Sequence, residues 1–240
     1  MNNTIKFSVL LTVYKRSHIE KQLEAIYNQT IKPDYLIVFQ NENHISIEYL
    51  KNKYNFIHVK SDYNTKFFGR FSYCLNLPVD VCIIMDDDII PAKNCFKNYL
   101  EQCINLNGII GGNGRPINCD NETIQKFNIN YNEVGIRPSK IVDFVGHLWC
   151  FKKDWLYYMF SIKPFTFDTG EDMHLCFSCK ILGNINSYVA EHKKNEDICD
   201  ITSNSLSCDE FSAHKYTPKE LRLSIPKYFI ETFNLVPITY

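Results

Sequence analysis

Two short stretches of this chain are apolar from end to end, IKFSVLLTV over 5–13 and VCIIM over 81–85, and each stops abruptly at polar residues. A run of that length, rich in β-branched side chains, reads as a strand covered on both faces. DYLIVFQ (34–40) is a third of the same kind. Between the first and the third lies YKRSHIEKQLEAIYNQT, in which Ile19, Leu23 and Ile26 recur at helical spacing and Pro33 marks the stop. Ser17 followed by Glu20 has the form of a capping box at the helix start. Strand, helix and strand within about 35 residues make a βαβ unit, so its two strands are expected to run parallel.

The alternation continues. FIHVK (56–60), VCIIMDDD (81–88), GIIGG (108–112), IVDFVGHLWCFKK (141–153) and INSYVA (185–190) read as further strands. NCFKNYLEQCINLN (94–107) reads as an amphipathic helix, and DWLYYMF as a helical turn. TGEDMHLCFSCKILG (169–183) predicts a helix capped by Thr169 and Asp172, with Met173, Phe177 and Ile181 on one face and Gly183 at its end. Residues 114–138 are polar and irregular, and the tail beyond 190 shows few long patterns. With no repeat and no linker, the expected fold is α/β: one domain over 1–240, a mostly parallel central sheet flanked by helices.

Composition narrows the function by exclusion. A formal net charge of -1 gives no basic footprint for nucleic acid. No stretch approaches the ~18 apolar residues needed to span a bilayer, and the opening MNNTIKFSVLLTVYKR is too short and too strand-like for a signal peptide. The ten cysteines sit mostly in apolar stretches; Cys176 and Cys179 form a C-x-x-C with no second pair, which does not make a zinc site. A cytoplasmic, reducing location is expected.

The chemistry concentrates at Asp86-Asp87-Asp88, which close a buried strand of a parallel sheet, where such folds bind ligands. Side chains alternate along extended chain, so Asp86 and Asp88 point one way and Asp87 the other, with nothing basic beside them. A divalent cation with oxygen ligands, Mn²⁺ or Mg²⁺, would relieve their repulsion.

On these residues the chain resembles the GT-A glycosyltransferases, in particular their family-2-like and exostosin-like branches. FSVLLTVYKR is similar to the family's first nucleotide-binding strand and loop, LIVFQNEN to its second strand, FFGRF to the arginine segment before the acidic motif, IIMDDDIIP to the D-x-D motif itself, and TGEDMHLCF to the acidic start of the catalytic helix. The resemblance implies a nucleotide-sugar donor, UDP by default with GDP as the variant, bound mainly by 1–112. A glycan or protein hydroxyl acceptor would be handled by 113–240. It implies Thr12, Tyr14 and Arg16 beside the base and ribose, with Gln40 or Asn41 near the base, where many family-2 members carry an acid. Arg70 would approach the diphosphate. Asp86 and Asp87 would lie at the donor, Asp86 and Asp88 would hold the metal, and His192, or else His214, would add a ligand. Asp172, with Glu171 beside it, would be the catalytic base of an inverting enzyme, or a positioning acid if the chain follows the retaining exostosin-like branch. His147 and Trp149, two apart on a strand, read equally as a sugar-stacking floor or as core, and GGNGRP (111–116) as a backbone-lined pocket or a turn. Two alternatives use the same acids: a noncatalytic nucleotide- or sugar-binding module, and a nucleotidyltransferase, although TVYKRSH lacks the glycine-rich loop expected of the latter.

Overall fold

The structure, a computed structural model, describes residues 5–120, 123–127, 135–202, 206, 209–212 and 215–238. In chain order its elements are β1 (Phe7–Val13), α1 (Ile19–Tyr27), β2 (Tyr35–Asn41), β3 (Ile57–Ser61), α2 (Phe68–Cys74), β4 (Val81–Met85), α3 (Cys95–Leu106), β5 (Ile109–Arg115), β6 (Ile117–Asp120), β7 (Thr123–Phe127), β8 (Lys140–Val142), β9 (Phe144–Lys152), α4 (Leu156–Ser161), α5 (Glu171–Gly183), β10 (Ser187–Val189) and α6 (Lys219–Phe233).

Eight strands form one sheet in the order β3-β2-β1-β4-β9-β5-β10-β8, and β6 and β7 form a separate antiparallel pair. β1 pairs in parallel with β2 on one side and β4 on the other, as the apolar runs require. β9 runs antiparallel between β4 and β5, so β5 keeps the direction of β4. The carboxyl ends of β1, β2, β4 and β5 therefore share one edge, and the amino-terminal end of β9 lies there with them. Val9, Leu10, Leu11, Ile83, Ile84 and Met85 are fully buried, as is expected of strands covered on both faces. α2 packs on β1 and β4, α3 on β5 and β9, and α5 on β9.

Several local expectations give way to packing. His18, not Ser17, caps α1 and makes no side-chain bond; Glu20 instead pairs with Lys53 at 3.0 Å. α5 begins after Gly170 at φ +78°, a conformation that favours glycine, and a Cβ there would also have to displace the Ile225 Cδ1 methyl 2.1 Å away. The helix ends on Asn184 in a left-handed cap, one residue beyond Gly183. GGNGRP is strand, not turn or pocket: Gly111 lies against Val145, and Gly114 against Val142 and Val189, too close for any side chain. Cys176 and Cys179 are core residues of α5, and the described cysteines are buried thiols. α2 and α6 carry no sequence forecast; Gly69 and Pro226 inside them mask the helical pattern. No helix among the described residues is long and apolar enough to cross a membrane.

Candidate functional site

β4 stops at Met85, so Asp86, Asp87 and Asp88 belong to a turn and the strand alternation expected of them does not apply. Two contacts fix that turn: the Asp86 N–H donates to the His147 carbonyl at 3.0 Å, and Gln22 Nε2 donates to the carbonyls of Asp86 and Ile89. The acids are also not remote from basic groups, as the sequence suggests; two arginines from distant segments reach them.

Arg16, from the loop after β1, is 7% exposed. Its Nη1 donates to Asp87 and lies 3.3 Å from Asp88, while Nε and Nη2 form a fork onto Asp209 at 2.6 and 2.7 Å. Against its burial, Asp209, Asp87 and Asp88 hold the Arg16 guanidinium above its usual range, and Arg16 holds Asp209 down at about 2. Asp87 also accepts the Tyr14 N–H at 3.1 Å.

Arg70 sits deeper. From α2 its Nη1 donates to Asp86 and to Thr12 Oγ1, and its Nη2 donates to Glu171 Oε1 at 2.8 Å. Its guanidinium lies 4.7 Å from the Trp149 ring centroid. The expected direct approach of Arg70 to a diphosphate gives way to this geometry: at 4% exposure it is a buried strut between two acids. Trp149, 2% exposed, is likewise the platform under Arg70 and not a sugar floor, with its indole N–H donated to the Val145 carbonyl. His147 adopts φ +65° at the irregularity between β9 and β5, which breaks the shared face expected with Trp149.

The carboxylates respond to this crowding. Burial, with Asp86 and Asp87 beside it, pushes Asp88 up to about 7. Burial likewise raises Asp87 to about 6 against the pull of Arg16, and raises Glu171 to about 7 with help from Asp172. Asp88 Oδ1 is buried and has no hydrogen-bond partner.

Next to this centre, Tyr14, Gln40 and Asn41 line the ends of β1 and β2. The Tyr14 hydroxyl accepts from Asn64 Nδ2 at 3.0 Å; Asn41 donates to Asn64 and to the Lys66 carbonyl and accepts from Thr65. Gln40 joins His58 at 2.9 Å and donates to the Ile45 carbonyl. Lys15, Glu42 and Lys66 in these loops all adopt positive φ without being glycine, a concentration of backbone strain typical of ligand sites. On the other side Asp172, at the start of α5, meets Arg222 Nη2 at 3.1 Å, and Arg222 Nη1 lies 3.5 Å from Thr169 Oγ1. Thr169 thus serves Arg222 and does not cap the helix as expected, whereas Asp172 both meets Arg222 and accepts the first-turn Met173 N–H at 2.8 Å.

His192 is not with the acids. It is fully buried, with Nε2 at 3.2 Å from the Tyr99 hydroxyl and Nδ1 at 3.2 Å from the Gly135 carbonyl. Among the described residues no three His, Cys, Asp or Glu side chains group to hold a metal; His214 lies outside the described residues. Burial and Arg137 lower His192 to about 4 from an ordinary 6.5. The unfolded chain therefore takes up a proton below pH 6.5 that the folded chain refuses until about pH 4, so this stabilisation is present above 6.5 and is lost as pH falls. The expected loss is about 3 kcal/mol between pH 6.5 and 4. It is measured as wild-type unfolding free energy against pH, and a His192→Gln chain should lack that component of the slope.

Asp209, Arg222 and Asn64 were not foreseen from the sequence. Asp209 and Asn64 lie in polar stretches without periodicity and Arg222 in a helix whose pattern Pro226 interrupts, and only the fold brings them to the site.

No family model matches the chain, and no curated protein matches it either. Solved structures do. S. aureus TarS matches with a TM-score of 0.52 at 14% identity, covering 78% of this chain and 37% of that one. TarS 1-349 matches with a TM-score of 0.52 at 15% identity, covering 78% and 60%. TarS 1-349 in complex with UDP matches with a TM-score of 0.53 at 14% identity, covering 79% and 59%. The chain thus spans between 37% and 60% of the length of these structures. In its mixed α/β architecture and eight-stranded sheet, this chain shares the fold of these TarS structures.

Proposed function

We propose that the chain is a nucleotide-sugar-dependent glycosyltransferase that works with a divalent cation. The observation that carries this reading is Asp88 Oδ1, a buried carboxylate oxygen with no partner, set beside two further acids at the carboxyl edge of a parallel sheet. A buried carboxylate oxygen left without a partner is costly, and a cation is a group that satisfies it beside Arg16, which meets the other oxygen. These residues fit Mn²⁺ or Mg²⁺, which favour carboxylate oxygens together with phosphates; Asp88 would hold it, with Asp86 at its side. When bound, such an ion offsets the charge building on a leaving diphosphate.

The chain's own residues supply the rest. Tyr14, Gln40 and Asn41 would receive the base and ribose at the ends of β1 and β2, where Asn64 and His58 already hold their side chains. Arg16 holds Asp87 and Asp88 in place from the loop after β1, and Arg70 holds Asp86 level with Glu171. In the transfer the acceptor oxygen bonds to the sugar's anomeric carbon as the bond to the diphosphate breaks, and Asp172 takes the acceptor's proton. The fold shared with a protein solved with UDP supports uridine as the first nucleotide to test.

The test is thermal and chemical unfolding with UDP or GDP, each with Mn²⁺ or EDTA. At ~100 times its Kd the right nucleotide should stabilise the fold by about 2.7 kcal/mol, and only with metal. Asp88→Ala should abolish that gain. The same change should raise the stability of the ligand-free chain by about 1 kcal/mol, because it removes a crowded buried acid that serves binding at the expense of the fold. Stabilisation that persists in EDTA, or in Asp88→Ala, would remove the metal from the reading. Metal-dependent binding of UDP without transfer to any acceptor would instead favour the noncatalytic module.

A further inference from the structure

The amino ends of β2 and β3 border a cleft of about 470 Å³ that takes no part in the site described above. It lies beside the last turn of α1, at the sheet edge opposite the three turn acids and a strand's length, about 20 Å, away from them. Its volume is that of a pocket for a small ligand. The walls are apolar and aromatic. Leu36 and Phe56 are buried there, while Tyr27 and Ile57 line the cleft at 37% and 42% exposure. β3 is the outermost strand of the sheet, so no described strand covers that side.

The polar groups at this cleft are held in place and balanced in charge. The Tyr27 hydroxyl donates to the Asn55 carbonyl at 3.0 Å and accepts the Asn55 N–H, and its ring meets Tyr54 edge-on at 5.0 Å. The Lys32 ammonium donates to the Tyr27 carbonyl and, at 2.8 Å, to the Gln29 carbonyl, which leaves one of its protons over. Asp34 accepts the Phe7 N–H on one oxygen at 2.9 Å. Its other oxygen, the Asn55 side-chain amide and the Tyr35 hydroxyl bond to no other described residue. The rim thus offers both donors and acceptors, and its one cation is matched by its one anion.

Such a rim gives a charged ligand no net attraction, and an acyl chain would strand Asp34 and Asn55 without partners. A sugar suits both parts: its hydroxyls donate and accept alike, and its C–H faces lie against aromatic rings. We propose that the cleft is a second carbohydrate site, which holds a neutral oligosaccharide through Tyr27, Tyr35, Asp34 and Asn55. Its purpose, though not its chemistry, rests on the glycosyltransferase reading above: the ligand is a remote stretch of the acceptor. A glycan tethered there raises the local concentration of acceptor ends at the catalytic edge.

The probes are cellohexaose, maltohexaose and chitohexaose, with hexagalacturonate as the acidic counterpart. Binding is measured by titration calorimetry on the full chain, with and without UDP and Mn²⁺. The variants are Asp88→Ala, Ile57→Glu, and Tyr35→Ala combined with Asn55→Ala. At least one neutral hexamer should bind, at least tenfold more tightly than hexagalacturonate. Its affinity should be unchanged by UDP with Mn²⁺ and by Asp88→Ala, and should fall at least tenfold in the double variant and in Ile57→Glu. Melting temperatures report that the variants are folded, and if the double variant is not, Ile57→Glu at its exposed position decides alone. The proposal is overturned if no neutral hexamer binds at millimolar concentration, if the acidic hexamer binds as well or better, or if binding survives the cleft substitutions. Displacement by UDP overturns it too, since the sugar then sits in the donor cleft. So does a dimer that these substitutions break, since a second copy then fills the space. UDP and GDP binding on the same samples tests the donor reading separately: a chain that holds the hexamer here but ignores both nucleotides keeps this site and loses that reading.

Discussion

Arg70→Met should be the most destabilising single change in the site, lowering the unfolding free energy by about 3–5 kcal/mol. Met keeps the length and apolar stem of the side chain, and Trp149 and Phe71 still receive it. What is lost is the charge that Asp86 and Glu171 face. Glu171 is already pushed up to about 7 by burial and by Asp172, with Arg70 the chief counterweight, so without it the carboxyl will take a proton or force the strand ends apart. Chemical denaturation at pH 7.5 measures the loss. In a chain of this length the melting temperature should fall by about 10 °C or more. Adding Glu171→Gln to Arg70→Met should recover a substantial part of it, because one of the two stranded charges is removed with its partner. If Arg70→Met costs less than about 1 kcal/mol, the strut is not structural and Arg70 has to be reconsidered as a ligand contact.

Asp172→Asn should leave folding and nucleotide binding nearly intact and lower turnover by 10²–10⁴-fold. Asn keeps the shape of the carboxylate and one of the two oxygens that now accept from Arg222 and from the Met173 N–H, so the cost at the start of α5 should be about one hydrogen bond, ~1 kcal/mol. It cannot take a proton from the acceptor hydroxyl. The measurement is the initial rate of sugar transfer, or of slow donor hydrolysis where no acceptor has been found, beside UDP affinity on the same preparation. A rate within threefold of wild type would exclude Asp172 as the base and leave it a partner for Arg222 only.

How the site reads from sequence depends on whether a residue's job is local. β1, β2 and β4 were legible because burial on both faces writes an unbroken apolar run, and α3 and α5 because their spacing is helical. The acids of the turn after β4 were legible as a cluster, but not their orientation, since nothing in VCIIMDDD says where the strand stops. Capping was misread twice, at Ser17 and at Thr169, in each case because tertiary contacts fixed the helix start another way. The arginines were singled out as ligand contacts. Their ion pairs with Asp209 and Glu171 span 193 and 101 residues, a relation that no local pattern records. His192 looked like a ligand on its position after the last strand, and its burial against Tyr99 and Gly135 could not be read there.

Those long spans also govern when the site can exist during synthesis. The first 112 residues hold the loops after β1 and β2 and all three turn acids, yet β4 takes its outer neighbour from β9, Arg70 takes Glu171 from α5, and Arg16 takes Asp209 from beyond β10. A nascent chain that has only just exposed Arg70 has nothing to neutralise one end of it. At ordinary rates of translation ~10 s separate the emergence of that arginine from that of Glu171, 101 residues on. Through that interval the leading half is a partly formed sheet with β4 as a bare apolar edge, the sort of surface that holdase chaperones bind and that aggregates when they are scarce. Yield in a heterologous host should therefore depend on chaperone supply and elongation speed more than on the stability of the finished fold.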